Sequence, residues 1–260
     1  SIPFDHMEFH VRYAENVVND FKTLQKKYNC NHFFFTDEAL PINFLRTFAA
    51  KIIEEKVDVQ WTGELKFEKS LLKDDRMDLL YKSGCRKLIF GLESYNQRVL
   101  DSMKKGVELS WVDDTAERCI QLGIAMHFYL ICGFPTETRE EVMDSVNFVL
   151  NNQRLLDSPG FSAILSQFDL ERGAPIEKSP AEWGLKNLFT PKEHDLSLGY
   201  SYETTIGMNS KEINDLYQEL IEKLGREVMT FPHNYSLSDG LLYLAHHQRH
   251  SLTERLGTLA

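Results

Sequence analysis

The feature that most constrains this chain is a rhythm: between Glu15 and Asp169, short apolar runs alternate with amphipathic helical segments. Such alternation marks βα units, whose strands pair in parallel and whose helices cover the sheet. The first helical segment carries Val17, Val18, Phe21, Leu24 and Tyr28 at helical spacing. Strands are expected at 32–36, 58–65, 86–92, 125–132 and 161–169, and further helices at 41–55, 71–83, 96–103, 111–122 and 139–151. Ser94 with Gln97, Ser110 with Asp113 and Thr138 with Glu141 have the spacing of capping boxes at helix starts. The order opens on a helix, whereas a βα barrel opens on a strand, and the first residue is Ser1 rather than methionine. One N-terminal strand is therefore expected to be missing.

Beyond Gly173 the rhythm stops. Pro175, Pro180 and Pro191 punctuate a loop-rich stretch. A long amphipathic helix is then expected over 210–229, through Ile213, Leu216, Leu220, Ile221 and Leu224, and a last helix over 239–256. Residues 1–173 thus read as a partial TIM-like (β/α)6 barrel lacking its first strand, and residues 174–260 as a mostly helical extension packed on it. Lys and Arg number 29 against 39 Asp and Glu, a net charge of −10, and no basic stripe appears, which argues against a nucleic-acid partner. No apolar run is long enough to span a bilayer, so no membrane association is expected. Cys30, Cys85, Cys119 and Cys132 stand singly among apolar neighbours, which signals neither a disulfide framework nor a metal site. A reducing, cytoplasmic setting is expected.

Ligands of parallel α/β folds sit at the carboxyl ends of the strands. Here those ends are acidic: Thr36-Asp37-Glu38, Glu64, Glu93-Ser94, and Gly133 to Glu137. Strand residues two apart share a face, so Gln60, Thr62 and Glu64 oppose Val59, Trp61 and Leu65. Likewise Gly91 and Glu93 oppose Leu88, Phe90 and Leu92, while His127 and Tyr129 oppose Met126, Phe128 and Leu130. With the apolar faces against the helices, the polar ones, joined by Gln167, would line a cavity for a small-molecule ligand.

These residues resemble the radical S-adenosylmethionine (SAM) enzymes, particularly those that often carry an upstream cobalamin-binding domain. The resemblance rests on Phe33-Phe34-Phe35-Thr36-Asp37-Glu38, on Lys87 to Ser94 continuing through Arg98-Val99-Leu100 and Met103 to Gly106, on Gly123-Ile124, and on Leu130 to Thr138. It implies an iron-sulfur oxidoreductase that reductively cleaves SAM at a [4Fe-4S] cluster, the resulting radical abstracting hydrogen from a substrate; whether cobalamin is a further cofactor is not encoded in these residues. By the same resemblance, Thr36, Asp37 and Glu38 would lie near the methionyl ammonium, and Glu64, a strand-end residue of the cavity, is a further cofactor-binding candidate. Glu93 and Ser94 would lie near the ribose or carboxylate, and Ile131, Gly133 and Phe134 against the adenine; His127 and Tyr129 are the substrate-side candidates. The family's CxxxCxxC cluster loop is absent, so the chain is expected to begin just after it, to depend on that upstream segment as a partner, and to be inactive alone.

Plainer readings stand beside these. Asp37-Glu38 could be acids favoured by the dipole of the helix opening at Pro41, His127 and Tyr129 could be satisfied core residues, and Glu137 reads as structural. His246 and His250 share a helix face without a nearby carboxylate, which is weak as a metal site. Two other functions remain open: a conventional βα-barrel lyase or hydrolase using Glu64, Glu93 and His127 as acid and base, and a non-catalytic binding module.

Overall fold

A computed structural model describes residues 10–190 and 199–227. In chain order it runs α1 (Ala14–Tyr28), β1 (His32–Phe34), α2 (Ile42–Glu54), β2 (Gln60–Leu65), α3 (Arg76–Lys82) and β3 (Cys85–Glu93). It continues with α4 (Gln97–Ser102), α5 (Leu109–Leu122), β4 (Ala125–Cys132), α6 (Arg139–Leu150), α7 (Gln153–Leu156) and β5 (Ser162–Gln167). Each strand pairs in parallel with the next, so the sheet follows chain order, β1-β2-β3-β4-β5. This curled, helix-covered sheet is the partial TIM-like barrel that the βα rhythm predicts.

The alternation within each strand decides what the sheet buries. Phe33 stacks on Phe21 of α1 with ring centroids 4.2 Å apart, and Phe35 and Trp61 meet Phe48 of α2 edge-on at 5.3 Å and 5.8 Å. Phe67, Phe90 and Phe128 continue this aromatic layer beneath the later helices. Burying each such ring contributes about 1.5 to 3 kcal/mol, so this helix-facing layer anchors the sheet. The indole N–H of Trp61 donates to the carbonyl and hydroxyl of Ser83, each at 3.2 Å, so its burial leaves no donor stranded. The opposite face is left to Gln60, Thr62, Glu64, Gly91, His127 and Tyr129, as the alternation predicts, and Glu93 folds back onto it through a register shift after Gly91. Two further residues share that face and are buried: Lys87 and Ile89.

Several local expectations are revised. Gln167 lies on the same side of β5 as the buried Leu165, and its amide reaches Asn214 on the outer side of the sheet at 3.4 Å, not the inner face. Of the three capping boxes only Thr138 with Glu141 forms, with both reciprocal bonds present. Asn96 caps α4 instead of Ser94, because its side chain accepts the amide of Val99, and α5 begins at Leu109, which places Ser110 inside the helix.

The extension, expected to be mostly helical, also contains a small antiparallel sheet. Strands β6 (Leu170–Glu171), β7 (Leu185–Phe189) and β8 (Gly199–Thr204) pair in the order β6-β8-β7, ahead of α8 (Ser210–Glu227). Tyr200 and Tyr202 on one face of β8, with Leu185 of β7, pack against a cluster containing Phe134 and Leu170. Ile213, Leu216, Leu220 and Leu224 of α8 join the main core instead, and α8 lies along β5. The expected helix over 239–256, with His246 and His250, lies outside the described residues.

Candidate functional site

The carboxyl ends of β1, β2 and β3 bring three carboxylates together. Glu64 ends β2 half-buried, and its pKa is raised first by that burial and second by the charge of Glu38; Glu93 pushes the same way, while a hydrogen bond from the Tyr129 hydroxyl opposes. Tyr129 stands on β4, two strands away, and reaches Glu64 past Gly91, its register partner on β3. The place a Cβ would occupy at Gly91 is 2.7 Å from Glu93 Oε1, so a side chain there would displace the carboxylate that folds back over it.

Glu93 adopts φ 63°, the left-handed region, where the β3–β4 register shifts between Gly91 and Glu93. This bulge turns the side chain toward the site, where Lys105 Nζ donates to Oε1 at 2.7 Å. Glu93 therefore has a fixed cation. Glu64 is pushed up by burial and by two neighbouring carboxylates, so a cation bound beside it would lower its pKa again.

Thr36, Asp37 and Glu38 are exposed on the segment after β1. The amide of Leu40 donates to Glu64 O at 2.9 Å, which threads that segment across the end of β2 and explains how Glu38 comes to act on Glu64. Helix α2 has Pro41 as its N-cap and no acid in its first turn, so Asp37 and Glu38 are not helix-start acids.

The other candidates separate. Ser94 is fully buried, with its hydroxyl 3.1 Å from that of Ser145 on α6, a structural bond turned away from the mouth. His127 Nδ1 lies 2.8 Å from Ser162 Oγ, and its ring meets Tyr129 edge-on at 4.8 Å. It thus borders the site from below, tied to β5. Ile131 shares the inner face of β4. Phe134 is buried among Phe168, Trp183 and the appended sheet.

The loop after β4 is tightly bound. Glu137 is buried and accepts the amides of Gly133 at 2.7 Å and Phe134 at 3.2 Å. Burial pushes its pKa up to about 7 against those two bonds. Arg98, paired with Glu141, donates to the Thr136 hydroxyl at 3.2 Å and carbonyl at 3.3 Å. From sequence Glu137 reads as structural, and Arg98 and Lys87 enter only as members of the resembling motifs, with no role assigned. Lys87 hides in the apolar run Lys87 to Phe90, and only its even spacing from Gly91 and Glu93 marks its face.

The mouth fits a ligand carrying an ammonium and a sulfonium, since both are cations and the wall offers Glu38, Glu64 and Glu93. The cysteines do not fit an iron-sulfur cluster. All four are free; Cys85, Cys119 and Cys132 are buried with thiols pushed up by desolvation, and Cys30 donates weakly to His32 O at 3.3 Å. Among the described residues no group of His, Cys, Asp or Glu is placed to hold a metal, and no helix is long and apolar enough to cross a membrane.

Comparison with known proteins shows the family and the fold. The profile of the radical SAM superfamily matches residues 4–149. An uncharacterised methyltransferase of Pyrococcus horikoshii is 27% identical over 137 residues, covering 52% of this chain and 29% of its own length. The bacteriochlorophyllide d C-12(1)-methyltransferase of Chlorobaculum tepidum is 25% identical over 161 residues, covering 60% and 34%. The chain thus spans about a third of the length of these curated relatives. Among solved structures, the radical SAM methyltransferase TsrM of Kitasatospora setae, with cobalamin and a [4Fe-4S] cluster bound, superposes with TM-score 0.55 at 19% identity, over 70% of this chain and 37% of that one. The cobalamin-dependent SAM radical enzyme OxsB gives TM-score 0.62 at 12% identity, over 95% and 43%. These superpositions show a shared fold.

Proposed function

The chain belongs to the radical SAM superfamily, and on that premise we propose that it forms the SAM-binding half-barrel of a radical SAM methyltransferase of the cobalamin-using kind. The observation that carries the reading is the gathering of Glu38 and Glu93 about a half-buried Glu64 whose pKa they and its burial raise, with Glu93 folded back over Gly91. Methyl transfer as the net reaction is supported by the two curated relatives, both named methyltransferases. It refines the expectation of an iron-sulfur oxidoreductase.

SAM, when bound, supplies an activated methyl group and, on one-electron reduction, radical chemistry. The residues of this chain bind and orient it. Glu64 and Glu38 receive the ammonium, with Thr36 and Asp37 on the same segment, and Tyr129 holds the Glu64 carboxylate in one orientation. Glu93, fixed by Lys105, faces the ligand from β3, and Ile131 with the loop from Gly133 flanks the adenine. His127 and Tyr129 border the substrate, a small molecule bound on the inner face. In this reading the cysteines that hold the cluster lie outside these 260 residues, in a segment with which the half-barrel must assemble. Four free cysteines support a reducing compartment, the cytoplasm.

Calorimetric titration with SAM tests the reading. Glu64→Gln is expected to weaken binding about tenfold, the size of one lost charge-assisted hydrogen bond. A parent protein that does not bind SAM, or a variant that binds it as tightly as the parent, overturns the assignment. Transfer of label from methyl-labelled SAM to a small-molecule acceptor by the full-length, cobalamin-loaded protein tests the reaction class.

A further inference from the structure

The loop that follows β4 is shaped from outside the half-barrel. Gly133 adopts φ 83°, and the space its Cβ would fill is taken by Ile213 of α8, three of whose side-chain carbons come within 2.7, 2.9 and 3.0 Å of that position. On the turn between β8 and α8, Gly207 adopts φ 75° and lies flat against the loop's backbone. A Cβ there would fall 2.8 Å from both Glu137 O and the Thr136 carbonyl carbon. The next residue, Met208, donates its amide to Glu137 O at 3.2 Å, and its own carbonyl accepts from the Thr204 hydroxyl at 3.1 Å. From the same side Trp183 meets the ring of Phe134 edge-on at 5.6 Å.

The loop has reason to need such support. Thr136 sits at φ 74°, a left-handed conformation that a β-branched residue does not adopt unaided. Within the loop, the buried carboxyl of Glu137 accepts the amides of Gly133 and Phe134. Arg98 grips one side, and the appended segment closes the other.

We infer that the turn between β8 and α8, together with the first turn of α8, is a positioning element for the SAM site, in which Gly207 and Ile213 hold the loop from Gly133 to Glu137 in its ligand-ready shape. This rests on the reading of that loop as the adenine side of the site. Neither residue touches the ligand. They act through Gly133, Phe134 and Glu137, so the extension, remote in sequence from the strand-end carboxylates, sets the affinity of the mouth they form.

The test uses the full-length protein with Ile213→Ala, Gly207→Ala, the conservative Ile213→Val, and a control, Leu220→Ala, which opens the same helix-to-sheet core about two turns further along α8. Two quantities are read: hydrogen exchange at the Gly133 and Phe134 amides, and the SAM dissociation constant. Ile213→Ala and Gly207→Ala should speed exchange at both amides and weaken SAM about tenfold, as when only a tenth of the molecules hold the competent loop. Turnover at saturating SAM should stay within about twofold, because bound ligand restores the loop. Ile213→Val should recover most of both losses, and Leu220→Ala should lower thermal stability while leaving both near the parent. Unchanged amides in Ile213→Ala, or an equal effect from Leu220→Ala, overturn the inference. Loosened amides in a protein whose parent does not bind SAM would uphold the bracing and reject the SAM reading.

Discussion

Glu137 should give the molecule a pH signature of its own. Its pKa in the fold is raised to about 7, so the native state holds the proton more tightly than the unfolded chain does. That contribution is complete below the ordinary carboxylate range and is lost as pH rises through about 7, a change on the order of 3 kcal/mol. Urea unfolding at about pH 5 and about pH 8 should therefore show the parent losing stability relative to Glu137→Gln, which cannot titrate; parallel profiles would contradict the assignment. Glu64 titrates in the same direction, from burial and from Glu38. Ser94 separates structure from ligand binding. Ser94→Ala removes the buried bond to Ser145 and should cost about 1 to 3 kcal/mol in denaturant unfolding while leaving SAM affinity unchanged. At this scale the inner-face positions of Glu64, His127 and Tyr129 were legible, because alternation along a strand is a local property, whereas Glu93 reaches the same face through the bulge after Gly91. The partners of Ser94, Lys105 and Glu137 were not, since each belongs to another element or to a turn whose shape tertiary contacts set.

Among the elements, the helix starts show how far spacing alone reaches. Three Ser or Thr positions share the capping-box pattern, yet only Thr138 caps its helix. Thr138→Ala is expected to cost about 1 kcal/mol, and Ser110→Ala, within α5 and exposed, to stay within about 0.5 kcal/mol; chemical denaturation of the two variants side by side checks the contrast. The cap of α4 falls on Asn96, two residues beyond Ser94, because it is the Asn96 side chain that accepts the amide of Val99, while Ser94 is buried against Ser145. The small sheet of β6, β7 and β8 escaped the sequence reading for a different reason. Its strands are short, and the prolines around them read as loop, although Tyr200 and Tyr202 carry the period of two.

Across the whole molecule, the boundary at 173/174 separates segments of sequence and not independent cores. Four α8 side chains, Ile213, Leu216, Leu220 and Leu224, are buried in the same cluster as the sheet. Exposing them would forfeit about 6 to 12 kcal/mol, as much as the entire net stability of a typical domain. A chain ending after Gly173 should accordingly lack a cooperative thermal transition and bind a hydrophobic dye, whereas a sharp melt would show that the half-barrel stands alone. The sequence by itself determined the parallel order of five strands, the helices between them, the face each strand turns inward and the acidic character of its ends. Those follow from periodicity and from the polarity of neighbouring residues, which act over a few positions of chain. Only the tertiary structure decided that Glu38, Glu64 and Glu93 share one mouth, that Lys105 already serves one of them, and that Ile213 and Gly207 close upon the loop after β4. Each of these depends on strand register and on contacts between residues far apart in the chain, which no local pattern encodes.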